Sequence, residues 1–150
     1  MQVKTRLFGD IEIEDDKIIE LVHGLIGFPD MKKYTLIFDE EKEDKGNIMW
    51  LQSLEESDFA MPVMLPNKVA PDYAPSIDEA ALAPLGELNS SNTYILVTVR
   101  VPKNVQEASI NLKAPIIINT DTCIGDQIIM DGDAPVRFPI YEALHGKDGE

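Results

Sequence analysis

A chain of 150 residues with 27 acids against 13 bases has the length of one domain and a formal charge of −14. Phosphate backbones and anionic lipid surfaces repel that sign, which excludes direct nucleic-acid binding and membrane attachment and favours a basic partner. The single cysteine, Cys123, excludes an internal disulfide and a thiolate metal cluster, and no apolar run approaches the ~18 residues of a membrane span, so the expected compartment is the cytoplasm.

In chain order, Val3, Thr5 and Leu7 alternate with Lys4 and Arg6, and Ile11 and Ile13 with Glu12 and Glu14. Period-two alternation predicts strands over 2–8 and 11–14, a turn at Asp15-Asp16 and a third strand over 17–22, together a β-meander. Asp10, Glu12, Glu14, Asp15 and Asp16 crowd this stretch without a base. A charged edge strand protected from aggregation is the simpler reading, and a dedicated binding face the alternative.

Residues 23–30 read as a loop in which Gly24 and Gly27 supply unusual backbone angles while Leu25, Ile26 and Phe28 stay apolar. Such a loop either tucks into the core or offers a sticky surface. Pro29 and a helical turn over 31–34, capped by Asp30, would fix Phe28 inward and leave Ile26 available. His23 has no histidine or nucleophile beside it and reads as a buried or half-buried structural imidazole. After a strand over 35–38, residues 39–47 carry five acids and two bases, an exposed hairpin tip without the ligand spacing of a calcium loop. Leu25, Ile26 and Phe28, with Glu40, Glu41, Glu43 and Asp44 from this tip, are the candidate partner-binding residues.

Strands follow over 48–53, around Trp50, and over 58–65, separated by a Ser53-x-x-Glu56 capping turn. Pro62, Pro66, Pro71 and Pro75 forbid a long helix, and a short one over 77–82 is the best helical segment, stopped by Pro84 and Gly86. Residues 93–101 form the longest predicted strand, 105–112 its antiparallel return. Pro115 must enter the next strand at its first position or at a bulge, and Ile116-Ile117-Ile118 read as buried on both faces. A turn over 120–126, a strand over 127–130 and an extended tail over 136–140 complete the chain. The pattern predicts an all-β fold, a compact antiparallel β-barrel-like single domain over 1–150 with one or two short helical turns.

Chemistry is sparse. Gly24-x-x-Gly27 lacks the further glycines and the lysine of a phosphate loop, and no local signature surrounds Cys123, His23 or His145. Neighbouring acids such as Asp15-Asp16 or Glu55-Glu56 diverge on an extended chain. Neither an enzyme nor a cofactor or metal is expected. The rival is a small acidic β-barrel hydrolase or sugar-binding module, which would need a concave pocket with convergent carboxylates.

Four motifs in order, 2–13 with Thr5, Arg6, Phe8 and Gly9, the Gly24 to Tyr34 segment, Leu51-Gln52-Ser53, and the Asn111 to Asn119 run around Lys113-Ala114-Pro115-Ile116, resemble the FliW family of flagellar assembly factors. Gly24-Leu25-Ile26-Gly27 departs from the Gly-Ile-Pro-Gly often seen there. The resemblance implies a β-barrel-like fold without enzymatic activity. It also implies a partner switch: flagellin holds the protein until export, after which the protein binds the RNA-binding regulator CsrA and relieves its block on flagellin translation. CsrA must be basic to hold RNA, so the sign of the charge agrees.

Overall fold

The structure, a computed structural model, describes residues 2–5, 9–38, 48–68, 70, 73, 79–104, 107–130 and 134–140. Strands β1 (Gln2–Thr5) and β2 (Gly9–Glu12) pair as a hairpin of their own, Val3 facing Ile11. A 3-10 turn over Asp15–Lys17 then diverts the chain. Strand β3 (Ile19–Leu21) therefore leaves the hairpin, and the expected meander does not form.

Strands β4 (Lys33–Phe38), β5 (Ile48–Ser53), β6 (Ala60–Met64) and β7 (Thr93–Arg100) continue antiparallel from β3. After β8 (Ser109–Ile110) come β9 (Ile116–Asn119) and β10 (Ile124–Gln127), and β9 pairs back onto β7 while β10 pairs with β3. Seven strands thus close into a barrel in the order β7, β6, β5, β4, β3, β10, β9, and closure removes the exposed edges an open sheet would leave. The β3–β10 ladder is parallel, the one departure from the antiparallel pattern expected. The tightness of the neighbouring β9–β10 contact depends on Gly125, where a Cβ would stand 2.7 Å from the Ile117 carbonyl oxygen and 2.8 Å from the Ile118 side chain.

Half of β7 pairs with β9 and its far end with β8, which pairs in turn with β11 (Phe138–Pro139). Between Leu96 opposite Ile116 and Val99 opposite Ile110, two residues of β7 face five of the returning chain, so a segment is looped out. Asn111 Oδ1 holds that loop by accepting from Lys113 N (3.0 Å) and Ala114 N (3.2 Å). Pro115, unable to donate a ladder bond, sits just before β9, the kinked entry its chemistry demands. The Ile116-Ile117-Ile118 run is buried throughout, as its lack of polar positions requires.

Elsewhere the boundaries move. No helical turn precedes β4: Glu55 Oε1 accepts from Lys32 N (2.6 Å) and Lys33 N (3.2 Å), and these bonds hold the Glu55 carboxyl below its ordinary pKa. Ser53 Oγ accepts from Glu55 N and Glu56 N, so the capping turn is present. Of the strand expected over 105–112, the described residues form only β8, and the strand expected over 127–130 is β10, three residues earlier. The short helix α1 (Glu79–Leu82) runs into a 3-10 turn at Ala83–Leu85 that Gly86 ends at φ 88°.

Inside the barrel Leu21, Leu25, Tyr34, Leu51, Val63, Leu96 and Ile116 form the main core. A second cluster, Met64, Val97, Val99, Ile110 and Leu112, covers the opposite face of the β7–β8 region under Tyr73 and Phe138.

Candidate partner-binding surfaces

The loop joining β3 to β4 is built as a rigid tip. Gly24 takes φ 69°, and a Cβ there would lie 2.6 Å from the Phe28 carbonyl oxygen, so only glycine permits so tight a fold. Gly24 N donates to Leu21 O (3.1 Å), Phe28 N to Leu25 O (2.8 Å), and Ile26 N to Gln127 Oε1 (2.8 Å). Gln127 in turn donates through Nε2 to Ala114 O (3.0 Å), tying the tip to the looped-out segment before β9. The backbone of the tip is fixed before any partner arrives.

Its side chains divide differently from expectation. Leu25 is 2% exposed and belongs to the barrel core, so it anchors the loop and offers nothing to a partner. Phe28, expected to fill the core, is 38% exposed and leans on Phe59 with ring centroids 4.5 Å apart. The Leu25–Phe28 bridge turns the aromatic ring along the surface, and Leu25 takes the inward place instead. Ile26, at 50%, stands free as expected. Glu40, Glu41, Glu43 and Asp44 lie outside the described residues.

His23 is not buried either: its side chain is 74% exposed, because Asp126 on β10 captures it at the surface. Asp126, 7% exposed, accepts His23 Nδ1 at 2.8 Å through Oδ2 and His23 N at 3.3 Å through Oδ1. The pair stitches the base of the tip to β10 and has no nucleophile beside it. Nothing in the sequence around His23 signals this bond, since its partner is 103 residues away.

At the other end of the barrel the acidic stretch gains a shape that alternation alone did not reveal. Glu12, Glu14 and Asp16, three acids against the one base Lys17, rim a cavity of about 540 Å3 floored by Ile13, Ile19, Leu36, Tyr94 and Ile118. The turn above it is held by Thr35 Oγ1 donating to Lys17 O (3.0 Å) and by Cys123 Sγ donating to Asp16 O (3.3 Å). Cys123 adopts φ 60°, the left-handed region, to carry the chain from β9 into β10. A groove with an apolar floor and an acidic rim suits a basic amphipathic segment better than a small polar substrate. Among the described residues no histidine lines it. Among the described residues no group of three His, Cys, Asp or Glu is placed to hold a metal ion, and no helix is long and apolar enough to cross a membrane.

A profile of the FliW protein family matches residues 2–140, nearly all of this barrel. The chain belongs to the FliW family. It is 44% identical to the flagellar assembly factor FliW of Lachnospira eligens, over 96% of this chain and 97% of that one. Against the protein of the same name from Lachnoclostridium phytofermentans it is 39% identical, over 100% and 99%. A crystal structure of the flagellar assembly factor FliW superposes with a TM-score of 0.84, covering 94% of this chain and 97% of that chain. At 24% identity that likeness shows the fold, and the seven-stranded barrel is thereby the FliW fold. The four motifs read from the sequence fall on the hairpin and its exit, the tip, the end of β5 and the β9 entry.

Proposed function

We propose that this protein is a cytoplasmic, non-catalytic flagellar assembly factor that binds flagellin and, when flagellin is absent, binds CsrA and relieves its repression of flagellin translation. The observation that carries the reading is the tip: two large apolar side chains, Ile26 and Phe28, are held in the open by a backbone already fixed by hydrogen bonds. An apolar patch kept exposed on a folded barrel is an interaction site, and amphipathic helical segments of an unpolymerised flagellin are suitable partners for it. Family membership and the names of the relatives supply the flagellar context.

The CsrA half of the reading rests on charge. A surface of formal charge −14 attracts a basic RNA-binding protein and repels the RNA it carries. The acidic rim of Glu12, Glu14 and Asp16 around an apolar floor supports this reading. Purified chain, flagellin and CsrA from one organism, mixed pairwise and separated by gel filtration, test the reading. Co-elution with each partner is expected; a chain that elutes alone from both mixtures refutes it.

A further inference from the structure

Two of the three arginines of this acidic chain, Arg100 and Arg137, line one cleft of about 360 Å3. The strand registers explain why. Arg100 lies directly opposite Ser109, and Ser109 opposite Pro139. Thr98 is two residues from Arg100 along β7, while Asn111 just follows β8 and Arg137 just precedes β11, and the fold brings all of them to one cleft wall. Met61 and Val136 supply the apolar walls.

Both arginines are exposed, and neither forms an ion pair among the described residues. Glu107, the nearest acid along β8's approach, accepts from Asn104 Nδ2 (3.3 Å) instead. Asn111 spends its Oδ1 on Lys113 N and Ala114 N, which leaves its amide nitrogen to donate. A cleft that gathers two unpaired guanidiniums with hydroxyl and amide donors, in a protein with a large excess of carboxylates, is built to receive an oxyanion. Guanidinium suits a carboxylate or phosphate because its planar fork makes two parallel bonds to either.

We propose that this cleft captures a carboxylate carried by a polypeptide segment, with the segment's apolar atoms against Met61 and Val136. A bare oxyanion would leave those walls unused. Phe59, whose ring supports Phe28 of the tip, immediately precedes β6, the strand that gives Met61 to the cleft. The proposal stands apart from the identity of the tip's partner, because its assay reads the cleft alone.

The test is an NMR titration of the full chain with acetate, with inorganic phosphate, and with a short Leu-Glu-Leu peptide and its Leu-Gln-Leu counterpart, both amidated. The Glu peptide is expected to bind about tenfold more tightly than the Gln peptide, the worth of a charged hydrogen-bonded pair, with shifts centred on the amides of Ser109 and Asn111. Arg100→Gln and Arg137→Gln should each lower the Glu peptide's affinity about tenfold with an unchanged melting temperature, and leave the Gln peptide's weak binding as it was. Equal affinity for the two peptides overturns the proposal. So does a double variant that binds the Glu peptide like the native chain, and so does phosphate binding more tightly than the peptide, which would assign the cleft to a free anion.

Discussion

Replacing Ile26 and Leu25, one at a time, by alanine separates the working surface of the tip from its anchor. Fully burying an isoleucine side chain contributes about 1.5–3 kcal/mol, and Ile26 is already half-buried in the free protein, so about half of that remains to be gained on binding. Ile26→Ala is therefore expected to weaken flagellin binding by about 0.8–1.5 kcal/mol, roughly four- to twelvefold, with little effect on melting. Leu25 has no surface left to give. Leu25→Ala should instead leave a core cavity costing about 2–5 kcal/mol, a fall in Tm of roughly 4–20 °C at the usual conversion for a chain this long. Calorimetric titration against flagellin and thermal melts on the same two preparations measure both quantities. An Ile26→Ala protein that binds flagellin normally would show that the tip is scaffold and that the binding surface lies elsewhere.

On the proposed function the acidic rim steers CsrA by long-range charge, so neutralising Glu12, Glu14 and Asp16 to Gln or Asn should lower the association rate for CsrA at low salt, an effect that ~0.5 M salt abolishes by shortening the Debye length; stopped-flow rates insensitive to both changes would remove the rim from the interface. Gly125→Ala drives a methyl group against the Ile117 carbonyl at 2.7 Å, and the resulting strain should cost about 1–3 kcal/mol in urea unfolding, whereas wild-type stability would mean that the β9–β10 contact yields freely. Burial, with the Glu55 charge nearby, raises the Tyr34 hydroxyl to about 12, so its folded pKa stands above the unfolded value of 10.0. The folded state then holds a proton that the unfolded state releases, and the contribution is complete below pH 10 and lost as pH rises towards 12. Because that hydroxyl is buried with no hydrogen-bond partner among the described residues, Tyr34→Phe should be neutral or stabilising near pH 7 and should flatten the alkaline fall in urea midpoint; a marked loss of stability at pH 7 would contradict this.

Local chemistry was legible where a residue's own backbone preference decides the outcome. The entry of Pro115 into β9, the burial of Ile116-Ile117-Ile118, β5 at Ile48–Ser53 and the stop at Gly86 all follow from side chains acting on their own segment. Misreadings arose where a distant group intervened. Glu55 takes the amides of Lys32 and Lys33 that a helical turn would have used, Asp126 draws His23 to the surface, and β10 adds in parallel to β3 across a hundred residues of sequence. The apolar character of the tip was readable, but which of Leu25 and Phe28 turns inward was not, because the φ of Gly24 and the Phe59 ring decide it. The acidic cavity and the arginine cleft exist only once strands far apart in sequence are in register, so period-two patterns located their residues without bringing them together.

The central claim, that one acidic barrel serves flagellin and CsrA in turn, is tested most directly by the fluorescence anisotropy of a labelled flagellin-leader RNA bound to CsrA. Adding the chain should release the RNA and lower the anisotropy, and adding flagellin afterwards should restore it by withdrawing the chain. Anisotropy that the chain leaves unchanged, at concentrations saturating for its complex with CsrA, would contradict the account.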